Sequence, residues 1–127
     1  MINKKMKLIV IIFILLTVVG WFYVFYLKHK PTINEGVNYI NETILSSQII
    51  ASKYKNIKLG KISNLKFSIV ENEYIVQVTE EAEASGTELV IHADVIKKGV
   101  SWQLILLEIK NNGKWEILVE YGNPVRH

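Results

Sequence analysis

The stretch "SGTELVIHADVIKKGVSWQLILLEIKNNGKW", residues 85–115, decides the fold. Leu89, Ile91, Ala93 and Val95 alternate with His92 and Asp94. Successive side chains of a strand point to opposite faces, so a period of two predicts a half-buried β-strand. The "NNG" at 111–113 interrupts the pattern, and Asn-Gly suits the positive φ angles of a tight hairpin. "EASG" at 83–86 and "KKG" at 97–99 punctuate the other joins. Between the last two turns, residues 102–109 are apolar on both faces, as a central strand would be.

The same period extends outward. Leu65, Phe67 and Ile69 alternate with Lys66 and Ser68, and Tyr74, Val76 and Val78 with Gln77 and Thr79. A short polar "ENE" at 71–73 separates these two runs. Downstream, Trp115, Ile117, Val119 and Tyr121 alternate with Glu116 and Glu120. The expectation is a five-stranded antiparallel meander. Upstream the period changes: Ile33, Val37, Ile40, Ile44 and Ala51, with Leu45 and Ile49 beside them, recur at helical spacing. This predicts one amphipathic helix of about five turns ending near Tyr54, with Lys53 and Lys55 suited to its negative end. "TINE" at 32–35 has capping-box spacing, and Asn38 is a competing cap. A helix over one face of an antiparallel sheet is an α+β layer pair.

Residues 8–27, "LIVIIFILLTVVGWFYVFYL", carry no charge. Twenty helical residues span about 30 Å, the thickness of a bilayer core. Lys4, Lys5 and Lys7 precede the run, and Lys28, His29 and Lys30 follow it. A signal peptide would have a shorter apolar region ending in small residues; Val18 and Gly20 imitate such a site, but cleavage there would leave "WFYVFYL" exposed. Trp21, Tyr23 and Tyr26 cluster toward one end, as rings at the headgroup level do. The expectation is an uncleaved transmembrane helix. The excess of lysine before it places the N-terminus in the cytoplasm and residues 31–127 outside. Pro31 is expected to end the helix. The segmentation is therefore a basic N-terminus at 1–7, a transmembrane helix at 8–27, a linker at 28–36, an α+β domain at 37–123 and a tail at 124–127.

The net charge of +3 is unevenly spread. Residues 1–30 hold five lysines and no acid, whereas residues 31–127 hold ten basic and twelve acidic side chains. The folded part has no basic footprint, which argues against nucleic-acid binding. The absence of cysteine excludes disulfides, thiolate nucleophiles and Cys-ligated metals.

His92 is the one histidine inside the predicted domain; His29 lies at the membrane edge and His127 at the end. His92 and Asp94, at i and i+2, share a strand face and could serve acid–base chemistry. No G-x-S-x-G accompanies them, and zinc needs three or four ligands. A solvated strand face is the expected role. Glu80, Glu81, Glu83 and Glu88 surround one hairpin without the spacing of a calcium loop. The "GK" pairs at 60–61 and 113–114 lack a phosphate-binding loop, and the Asn41-Glu42-Thr43 glycosylation tripeptide lies in the predicted helix. No catalytic, metal or cofactor residue is assigned.

Ile75, Val90, Ile96, Trp102, Leu104, Leu106 and Leu118 occupy positions opposite the inward sets. If strand pairing aligns them, they form a second apolar sheet face that would bind a partner. A curled sheet or a second copy of the chain would instead cover them, so a homodimer stays open.

The order of features also carries a resemblance. A single anchor and a short helix precede "KLG" at 58–60, "SG" at 85–86, a strand ending near Ala93, Gly99, "WQL" at 102–104, "LE" at 107–108 and a hairpin at Gly113. Over about 65 residues this resembles the cytochrome c oxidase assembly factor family of small single-pass proteins, related to a domain of a mitochondrial presequence-translocase subunit. The resemblance implies a membrane-tethered, non-catalytic α+β domain that binds proteins of an inner-membrane complex. Two rivals remain: a small enzyme using His92 and Asp94, and a cystatin-like cone-fold component of a bacterial conjugation or secretion machine.

Overall fold

The computed structural model describes residues 3–121 and 123–124. The expected tail residues 125–127, including His127, lie outside them. The chain divides into two units, Met1–Thr32 and Ile33–His127. From Lys4 onward the first is part of helix α1 (Lys4–Ser46), and residues 8–28 are exposed throughout. This stretch is long and apolar enough to cross a membrane.

Two expectations for the helices are corrected. Pro31 lies inside α1 and does not end it, so no linker separates helix from helix. A proline removes one rung of the ladder, at about 3 kcal/mol, and the turns beyond it are held by packing from Val37 onward. The box formed by Thr32 and Glu35 therefore caps nothing. The amphipathic stretch is also not one helix to Tyr54. Ser47 is extended (φ −69°, ψ 122°), and its hydroxyl accepts from the Ile50 N–H at 3.3 Å, capping a second helix, α2 (Gln48–Lys53). The serine offers the backbone a cap in place of a helical rung. The reset changes the helical phase: Ile50 is buried with Ile40 and Ile44, while Ala51 and Leu45 face solvent.

The second unit layers this helical stretch on an antiparallel sheet of β1 (Ile57–Val70), β2 (Glu73–Ala84), β3 (Thr87–Lys98), β4 (Ser101–Asn111) and β5 (Lys114–Glu120), in that spatial order. A two-residue strand, β6 (Asn123–Pro124), pairs beyond β5. The α+β class and the five-stranded meander are as the sequence predicts. Each long hairpin closes on two residues: Glu71-Asn72, Ser85-Gly86, Gly99-Val100 and Asn112-Gly113. Asn112 (φ 53°) and Gly113 (φ 78°) both take the left-handed conformation that a type I′ turn requires.

These turns set the register. The β2–β3 pairing runs unshifted from Tyr74↔Lys97 to Ala84↔Thr87. One face of the sheet then carries Val76, Val78, Ala82, Leu89, Ile91, Ala93, Val95, Leu107 and Ile109, all buried with Ile40, Ile44 and Ile50 in one core. The helix approaches this inner face closely at Gly36, where an added Cβ would lie 2.8 Å from Val76 Cγ2 and 2.9 Å from the Trp102 ring. Only a residue without a side chain fits there. The Trp102 indole donates to Glu35 Oε1 at 2.7 Å, and Lys97 Nζ pairs with the same oxygen at 3.1 Å. The hydrogen bond from Trp102, with help from Lys97, holds the Glu35 carboxyl below its ordinary pKa. Lys53 on α2 pairs with Glu116 on β5.

Candidate functional site

The seven residues expected on one partner-binding face do not share it. Register and burial place Ile75, Val90, Ile96 and Leu106 on the outer face, away from the helix, where Ile75 pairs with Ile96. Trp102 and Leu104 lie on the inner face, packed against the core, and Leu118 is buried within it. The cause is a pair of β-bulges. Val95 pairs with Leu104 but Asp94 pairs with Leu106, which leaves Ile105 as an extra residue and reverses the faces beyond it. Leu118 is the corresponding extra residue on β5, between the Leu107↔Val119 and Glu108↔Ile117 pairs. The row Trp102, Leu104, Leu106 is therefore split between the two faces.

The outer face is a polar network set among Ile75, Val90, Ile96, Leu106 and, from β5, Trp115 and Ile117, which pair with Lys110 and Glu108 and so leave the face of Val119. His92 stands opposite Thr79 on β2 and Glu108 on β4. Its Nδ1 lies 2.7 Å from Thr79 Oγ1, and its Nε2 lies 2.7 Å from Asp94 Oδ1. The side chains of His92 and Asp94 are only 22% and 16% exposed, less solvated than a bare strand face implies. The contact with Asp94 raises the pKa of His92 against the opposing effect of burial, Glu108 adds to the rise and Lys66 opposes it. An imidazolium donating from both nitrogens satisfies this geometry.

Thr79 is the residue that strand-by-strand inspection overlooks. The Ser85-Gly86 turn could have found it, because a two-residue hairpin there puts position 79 opposite 92. The order Thr79–His92–Asp94 imitates a nucleophile, base and orienting acid. Acyl transfer also needs donors aimed at a developing oxyanion. All three residues sit on central strands paired on both sides, where backbone N–H groups are committed to the sheet. Two concavities of the second unit lie elsewhere. One, of about 530 Å³, opens between Lys58, Gly60, Glu83, Glu88 and Lys110; the other, of about 640 Å³, lies beside Tyr39, Trp102, Ile105 and Tyr121. The contact between Thr79 and His92 links β2 to β3 across the outer face.

The four glutamates around the second hairpin are likewise divided by strand alternation. Glu81, Glu83 and Glu88 are exposed. Glu80 points inward and is 1% exposed, opposite Ile62 and Ile91. Burial pushes its carboxyl up to about 7. With its amide nitrogen turned toward the carboxylate, Asn41 on α1 donates to Glu80 Oε1 at 3.0 Å and Oε2 at 3.2 Å. Asn41 of the glycosylation tripeptide therefore faces the sheet. Among the described residues no group of three or more His, Asp or Glu side chains is placed to hold a metal. No protein-family model, no curated protein and no solved structure matches this chain.

Proposed function

We propose that the chain is a membrane-anchored, non-catalytic protein-binding module. It crosses a cell membrane or organelle inner membrane once through residues 8–27, with its N-terminus in the cytoplasm and residues 31–127 outside. Its partner is a membrane-protein complex whose assembly or regulation it assists, a respiratory oxidase if the family resemblance holds. One observation carries this reading: a single helical layer covers one face of a five-stranded sheet and leaves the other, with Ile75, Val90, Ile96 and Leu106, open. Strand-neighbour shading leaves these four half-buried, and a partner would complete their removal from water. The apolar run of α1 and its lysine-rich front support the anchor and its orientation.

The test is recovery from native membranes of the full chain and of an Ile96→Asp variant. Co-purification of respiratory oxidase subunits with the first and not the second supports the proposal. Equal recovery by both, or by neither, refutes the outer face as the docking surface. A reporter active only outside the cytoplasm, fused after His127, checks the orientation.

A second reading is favoured by the Thr79–His92–Asp94 geometry alone: a hydrolase acting through the Thr79 hydroxyl. Hydrolysis of activated esters that Thr79→Val abolishes would establish it.

A further inference from the structure

The long edge strand β1 is guarded along only half its length. Between Leu59 and Asn64 its pairing with β2 shifts register twice, and Lys58 and Lys61 lie in that half. Bulges and lysines are the usual means of keeping a sheet edge from recruiting another strand. The other half, residues 64–70, pairs regularly with β2, from Asn64↔Thr79 to Val70↔Glu73, and its sole charge is Lys66. On the inner face of this half, Leu65 is 39% and Ile69 41% exposed, on either side of Phe67, which packs against the core. A regular strand edge thus coincides with two exposed apolar side chains, Leu65 and Ile69.

We propose that residues 64–70 pair with the same segment of a second copy, antiparallel about a twofold axis at Phe67, to make one continuous twelve-stranded sheet with the two β1 strands at its centre. A twofold axis normal to the sheet keeps inner faces together, so the self-paired residue lies within the segment. Centring on Phe67 sets Leu65 against Ile69 of the second copy, twice, and Phe67 against itself. Lys66 then meets Ser68, whereas centring on residue 66 would oppose two lysines, a destabilising pair. Glu71, in the hairpin tip of each copy, comes to lie opposite Ser63 of the other, at the end of its lysine-bearing half. Apolar pairing and charge both select this register. The proposal is independent of the outer-face partner proposed above.

The absence of native cysteine makes the test clean. Asn64 and Val70 are exposed, and the proposed register sets each directly opposite the other across the axis. Directly opposed residues have Cα atoms about 4.5–5.5 Å apart, within disulfide range. Within one strand they lie about 20 Å apart and cannot bridge. The full chain carrying Asn64→Cys and Val70→Cys, in mild detergent or native membranes, should form a covalent dimer on gentle oxidation. Asn64→Cys alone and Asn64→Cys with Ser68→Cys should yield at least tenfold less. Ile69→Lys added to the productive pair should abolish the bridge while far-UV circular dichroism stays unchanged. A monomeric chain, bridging by the single cysteine, equal bridging in the shifted pair, or a dimer that survives Ile69→Lys would each overturn the proposal.

Discussion

Glu80 offers the sharpest test of how the helix and sheet are joined. Its carboxyl is raised from an ordinary 4.5 to about 7 by burial. In the unfolded chain it ionises near 4.5, and in the folded chain it keeps its proton until about 7. Between these values the folded state binds more protons, so stability falls as pH rises through the window and is level above it. A shift of about 2.5 units corresponds to about 3 kcal/mol. The amide of Asn41, donating to the carboxylate, favours the ionised form and reduces this figure. Glu80→Gln keeps shape and hydrogen bonding but cannot ionise. It should leave stability nearly unchanged at pH 4 and raise it by about 1–3 kcal/mol at pH 8. For a domain of this size each kcal/mol moves the melting temperature by about 4–8 °C. Thermal unfolding of the full chain in mild detergent, followed by circular dichroism at both pH values, reads the effect. A variant that is destabilised equally at both would refute the buried, protonated carboxyl and point to an ionised Glu80 held by Asn41.

Two further expectations follow from the face assignments. His92→Ala should cost about 1–2 kcal/mol near pH 6, because it leaves Asp94 half-buried without its cation. The raised pKa of His92 means that its contribution is present below the unfolded value of 6.5 and is lost as pH rises through the folded value, so the same melts at pH 9 should show a smaller loss. Leu104→Asp puts a charge against the core and should unfold the domain, whereas Leu106→Asp, on the outer face, should leave it folded. Unfolding by both, or by neither, would contradict the bulge at Ile105.

The local code of the chain was enough for its elements. Period-two alternation, four hairpin turns and one helical stripe determine the sheet order, because two-residue turns allow antiparallel neighbours and nothing else. The uncharged run of residues 8–27 needed no tertiary context to be seen as a helix that could span a membrane. The faces were another matter. Strand alternation assigns a side chain to a face only while the register holds, and one extra residue reverses everything beyond it. The bulge residues Ile105 and Leu118 look like any other apolar residue in their strands, so alternation alone puts Trp102 and Leu104 on the face opposite the one they occupy. Pro31 inside α1 and the helix break at Ser47 have a related cause: a local propensity of about 1–3 kcal/mol yields to packing at Pro31 and prevails at Ser47, and only the assembled core decides which. Glu80 is the clearest case. In sequence it is one of four glutamates near a hairpin; the tertiary structure alone sets it beneath the helix, opposite Asn41, where removal from water makes a surface acid into a buried one.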